Sequence, residues 1–172
     1  MSTVARMTLS HMILGQLGIK PDLAHVGSRR ALVAWMGPES SWTAPCDGVH
    51  GARFNPLNTI LVVDGGTQKN KYNENPGVKN YTSALFGAEA VAQTLVEGQF
   101  SHNYKPIIDA LAKPGSKVVD ILFRVAESDW GTFKKEVGGA KFPDYTYAKS
   151  IADTYNFSRS QRNRFNAVLV GP

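Results

Sequence analysis

The stretch Ala34-Trp35-Met36-Gly37-Pro38-Glu39-Ser40-Ser41-Trp42 decides the reading of the chain, because it ends an apolar helical run on a carboxylate. Leu32, Trp35 and Met36 stand at i, i+3 and i+4, the spacing of one helix face. Asp22 offers an N-cap and Gly37-Pro38 a stop, so a helix is expected between them with Glu39 just past its end. A carboxyl held there beside Trp35 and Trp42 is partly shielded from water, and desolvation favours its protonated form. Glu39 is therefore the candidate general acid. The ordinary alternative is a solvated acid at a helix end.

Upstream, Leu9, Met12, Ile13 and Leu17 recur at helical spacing before the break at Gly18-Ile19-Lys20-Pro21, which gives a first helix over about 4 to 17. Downstream, residues 37 to 58 hold Gly, Pro and Ser in the proportions of a structured loop. The β-branched run Ile60-Leu61-Val62-Val63 followed by Asp64-Gly65-Gly66 predicts a strand and a tight turn. Val78-Lys79-Asn80-Tyr81 is its return strand, across a long polar tip. Helical spacing then resumes in Leu85, Ala88, Ala92 and Leu95, in Ile107, Ile108 and Leu111, and in Val118, Ile121, Leu122 and Val125. From residue 133 the character changes: Val137-Gly138-Gly139 interrupts the pattern, Tyr145 and Tyr147 follow, and Arg159, Arg162 and Arg164 make a basic end. The expected fold class is α+β, mainly α, with one small β-hairpin lobe: residues 1–132 form the body and 133–172 a helical extension packed on it.

The 172 residues, 42% hydrophobic, suffice for a core without a metal or a disulfide. Lone Cys46 excludes an internal disulfide, and His11, His25, His50 and His102 are too scattered for a metal site, so no cofactor and no metal are expected. The N-terminal apolar stretch is interrupted by Ser10 and His11 and is too short for a secretion signal or a membrane span. Lys+Arg 19 against Asp+Glu 14 gives a net charge of +5, which favours an anionic partner, whether nucleic acid, an acidic membrane or a teichoic-acid-bearing cell wall, without choosing among them. Nucleic acid would rest on that charge alone, without a basic stripe interleaved with aromatics. Cys46 with His50 is a weaker nucleophile candidate, lacking the helix N-terminus that activates a thiol.

Three separated segments carry a family resemblance: Trp35 to Ser40 with Phe54-Asn55-Pro56-Leu57-Asn58-Thr59; Val78-Lys79-Asn80-Tyr81-Thr82-Ser83 on to Thr94-Leu95; and Ser128-Asp129-Trp130-Gly131-Thr132. In that order, over about residues 25 to 132, they resemble the lysozyme-like domain of actinobacteriophage endolysins and tail-associated peptidoglycan hydrolases, in the goose-type lysozyme and lytic transglycosylase superfamily. The resemblance implies a lysozyme-like helical domain that cuts the β-1,4 glycan backbone of bacterial peptidoglycan, with its catalytic Glu at Glu39. It implies a phage-encoded protein of the host cytoplasm and then the wall, or of the virion tail, partnered by other tail proteins or a separate wall-binding domain. Neither membrane insertion nor a nucleic-acid partner belongs to it. Two departures are visible: Pro38 directly precedes the acid, and the loop from Thr67 to Pro76 is long and charged.

Ser40, Asn55, Asn58, Thr59, Tyr72, Tyr81 and Trp130 are the candidate sugar-contacting residues. Asn55-Pro56-Leu57-Asn58 reads equally as a turn that orients the hairpin. Asp47, Asp64 and Glu74 are candidates for a second carboxylate. The superfamily also works with one Glu alone, water or the substrate's own 6-hydroxyl or N-acetyl group completing the reaction. Hydrolysis ranks ahead of 1,6-anhydro formation, and an inactive tail or wall-binding module is the remaining alternative.

Overall fold

A computed structural model describes residues 3–40, 52–68 and 77–155. Its class is α+β, mainly α. Helix α1 spans Thr3–Gln16; a 3-10 turn at Leu23–His25 leads into α2, Val26–Ser40. Strands β1 (Thr67–Gln68) and β2 (Asn80–Tyr81) pair antiparallel, Thr67 opposite Tyr81. Helices α3 (Ala84–Glu97), α4 (Lys105–Ala112) and α5 (Val118–Glu127) follow. A second antiparallel pair, β3 (Lys134–Val137) and β4 (Ala140–Pro143), precedes α6, Tyr145–Thr154.

Helix α2 is the axis of the core. Every residue from Ala31 to Met36 is fully buried, as expected of a helix apolar all round. It packs against α1, α5 and α6, with Ile13, Leu14, Leu95, Ile107, Leu111, Ile121 and Leu122 completing the interior. Phe133, Ala148 and Ala152 are buried in the same core, so the segment beyond 132 is continuous with the body through α6.

Asp22 caps the 3-10 turn through the amide of Ala24, and α2 begins only at Val26. Nor does α2 stop at Gly37-Pro38. It runs through Pro38 to Ser40. Proline lacks one N–H, but its fixed φ suits a helix, and the last turn is secured from outside: Asn58 Nδ2 donates to the carbonyl of Glu39. Asn58 holds a left-handed backbone, φ 54°, to present that amide, a conformation asparagine tolerates well.

The run Ile60 to Val63 is not a strand. Its polar groups are met by side chains instead of a ladder: Tyr81 Oη donates to the Leu61 carbonyl, and Thr67 Oγ1 bonds both the amide and the carbonyl of Val63. The pairing shifts to Thr67–Gln68, which leaves Ile60 and Val62 about two-thirds exposed. This lobe docks on α3 at Gly87, where a Cβ would lie 1.8 Å from the carbonyl oxygen of Phe54. In α3 the expected positions Ala88, Ala92 and Leu95 are buried, and Leu85 alone of that set is not. Ser83 caps it through Phe86 N, which turns Leu85 out to solvent and Val91 and Leu95 in.

Gly138-Gly139 is not merely a break. Both glycines take positive φ, 59° and 83°, the two-residue turn that joins β3 to β4, so the chain carries a second hairpin that the helical reading of 133–172 missed. Its basic end, Arg159, Arg162 and Arg164, lies outside the described residues. Among the described residues no helix is long and apolar enough to cross a membrane.

Candidate active site

The emerging end of α2 forms one wall of a cleft of about 550 Å³. Loop 57–60, the 128–132 segment after α5, Thr94 of α3, Tyr104 and Tyr147 of α6 complete it. Glu39 keeps part of its surface open to this cleft while its carboxyl is largely desolvated.

The polar partners of that carboxyl come from far along the chain. Trp130 Nε1 donates to Glu39 Oε1 at 3.2 Å, and Thr132 Oγ1 donates to the same oxygen. The Thr132 hydroxyl is itself held by Trp35 Nε1 at 3.1 Å. Asn58 Nδ2, fixed on the Glu39 carbonyl, is 3.4 Å from Oε2. With two donors on Oε1 and one distant donor on Oε2, the acid proton belongs on Oε2. Desolvation outweighs the donors and pushes the Glu39 carboxyl up from 4.5 to about 7, against the lowering by hydrogen bonds from Trp130 and Asn58 and by the nearby Trp35 N–H. The group is thus half protonated near neutral pH. It can donate a proton without being a strong acid in the resting state.

No protein-family model, curated protein or solved structure matches the chain. The chemistry available to the cleft is therefore read from its own side chains.

Of the residues selected from sequence, Glu39, Asn58, Thr59 and Trp130 come together here. Thr59 lines the cleft, but its hydroxyl is engaged. Thr94 Oγ1 donates to the Ala90 carbonyl, so Thr59 Oγ1 donates to Thr94 across 2.6 Å. Asn55 lies outside the cleft lining and its amide is spent within the fold. It is 1% exposed, its Nδ2 bonds the carbonyls of Thr59 and Lys79, and its Oδ1 accepts from Thr59 N. Its amide thus orients the loop that carries Asn58 into the cleft. Tyr81 offers no stacking face either: it is fully buried, and burial pushes its phenol up to about 12. Ser40 closes α2, and its side chain, like Tyr72, Trp42, Cys46, His50, Asp47 and Glu74, lies outside the described residues. Asp64 is exposed in the turn before β1 and is not part of the cleft lining.

Sequence reasoning missed Thr132, Asp129, Tyr104 and Tyr147. Thr132 and Asp129 belong to the Ser128–Thr132 segment, of which Trp130 alone is a contact candidate from sequence. Asp129 lines the cleft, with His102 Nδ1 3.6 Å from its Oδ2 and its amide bonded to the His102 carbonyl. Tyr104 shares the cleft lining with both acids: desolvation first, then the negative charges of Asp129 and Glu39, raise its phenol. Among the described residues no group of three His, Cys, Asp or Glu could hold a metal ion.

Proposed function

We propose that the protein is a peptidoglycan-degrading glycosidase that cuts β-1,4 bonds of the bacterial glycan, with Glu39 as general acid. The observation that carries this reading is the carboxyl of Glu39, desolvated at the mouth of a sugar-sized cleft and poised near neutrality. Glycoside cleavage needs a proton delivered to the bridging oxygen as the anomeric carbon becomes cationic. Oε2 is the donor. Trp130 and Thr132 hold Oε1, orient the group, and stabilise the carboxylate left behind once the proton has gone.

Asp129 is the other carboxylate lining the cleft, and no Lys or Arg joins the lining among the described residues. That wall suits a neutral or amine-bearing glycan better than a polyanion, which argues for sugar over nucleic acid despite the net charge of +5. Water, or the substrate's own 6-hydroxyl or N-acetyl group, completes the reaction at the anomeric carbon. The three-segment resemblance to phage lysins supports the same reading, in a lysing cell or a virion tail.

Mass analysis of purified peptidoglycan after digestion tests it. Muropeptides with new reducing ends, or their 1,6-anhydro counterparts, are expected. Intact glycan strands, or cuts confined to peptide bonds, would overturn it. The rate should also fall with pH. A general acid acts in its protonated form, so kcat/KM is expected to drop about tenfold for each pH unit above about 7. A rate that holds level to pH 9 would remove Glu39 from that role.

A further inference from the structure

Three aromatic side chains line the cleft among the described residues, and they differ in what they offer a ligand. Trp130 and Tyr104 are 9% and 8% exposed. Their rings pack on each other with centroids 5.3 Å apart, and the Trp130 ring meets Trp35 edge-on at 4.7 Å and 76°. Their surfaces are largely spent on one another. Tyr147 is 39% exposed.

Its ring is also well founded. Phe133, fully buried, lies beneath it at 5.6 Å between centroids. Tyr147 N is bonded to the Asp144 side chain at the start of α6, and Ala148 and Ala152 anchor that helix in the core. A partly exposed aromatic ring packed on a buried one, in a cleft whose other aromatics are buried, suits the apolar CH face of a pyranose ring. We propose that Tyr147 is a sugar-stacking platform, so that α6 supplies a glycan subsite to a cleft otherwise built from the first 132 residues. The proposal rests on the glycan reading above and adds to it a binding residue and the segment that carries it.

Titration calorimetry of the Glu39→Gln protein with N-acetylglucosamine tetrasaccharide reads binding without turnover. Adding Tyr147→Ala is expected to weaken binding about fivefold to tenfold. Tyr147→Phe, which keeps the ring, is expected to stay within about twofold. Tyr147→Leu fills the space over Phe133 without a π face and separates stacking from packing; it is expected to bind as weakly as the Ala variant. Undiminished binding in the Leu variant overturns the platform and leaves the glycan reading standing. Failure of the Glu39→Gln protein itself to bind the tetrasaccharide overturns the glycan reading, and the platform with it.

Discussion

Glu39→Gln is expected to lower release of sugar ends from purified peptidoglycan by about a thousandfold, the scale of losing a positioned proton donor together with its electrostatic role. Glutamine keeps the shape of the side chain and an oxygen for Trp130 and Thr132, so the loss should come without loss of the fold. Stability should move the other way at high pH. Burial pushes the folded carboxyl up to about 7 from the 4.5 of the unfolded chain, so below 4.5 both states are protonated and the group costs nothing. Between 4.5 and about 7 the unfolded chain ionises while the folded, desolvated carboxyl holds its proton, so up to about 3 kcal/mol of stability is lost across that window, and above about 7 the loss is complete. The variant avoids that loss. Its urea midpoint should match the parent at pH 4 and exceed it at pH 8. A variant that unfolds early at both values, or one that still cleaves glycan, contradicts the role given to Glu39.

Trp35→Ala is expected to cost about 4 kcal/mol, because a fully buried indole leaves a cavity on the central helix. The same side chain holds Thr132 against the acid. Trp35→Phe separates its two contributions: most of the packing survives, and loss of the N–H to Thr132 costs about 1 kcal/mol. Urea denaturation of the two variants checks the difference. Equal costs for Phe and Ala would mean that the hydrogen bond, not the volume, dominates.

The pairing of an apolar helix with a carboxylate at its end was legible because both lie within a few residues of each other. Helical period located α1, α3, α4 and α5 for the same reason. What surrounds the acid was not legible: Trp130 and Thr132 arrive from about 90 positions away, and only tertiary packing brings them to Oε1. Pro38 misled because its helix-stopping tendency is local, while the bond from Asn58 that secures the last turn is not. Ile60 to Val63 had strand composition, yet Tyr81 and Thr67 side chains satisfied its backbone. Gly138-Gly139 was the one overlooked signal within reach of the sequence: two glycines between Lys134-Lys135-Glu136-Val137 and Ala140-Lys141-Phe142 form a hairpin turn as readily as a helix break.

The proposed cleavage depends on one proton, that of the Glu39 carboxyl. Carbon-13 labelling of the glutamate carboxyls, followed by an NMR titration of the folded protein with Glu39→Gln to assign the signal, reads that proton without any substrate. A midpoint of about 7 for Glu39 is required. A midpoint near 4.5, that of an ordinary solvated glutamate, would contradict it.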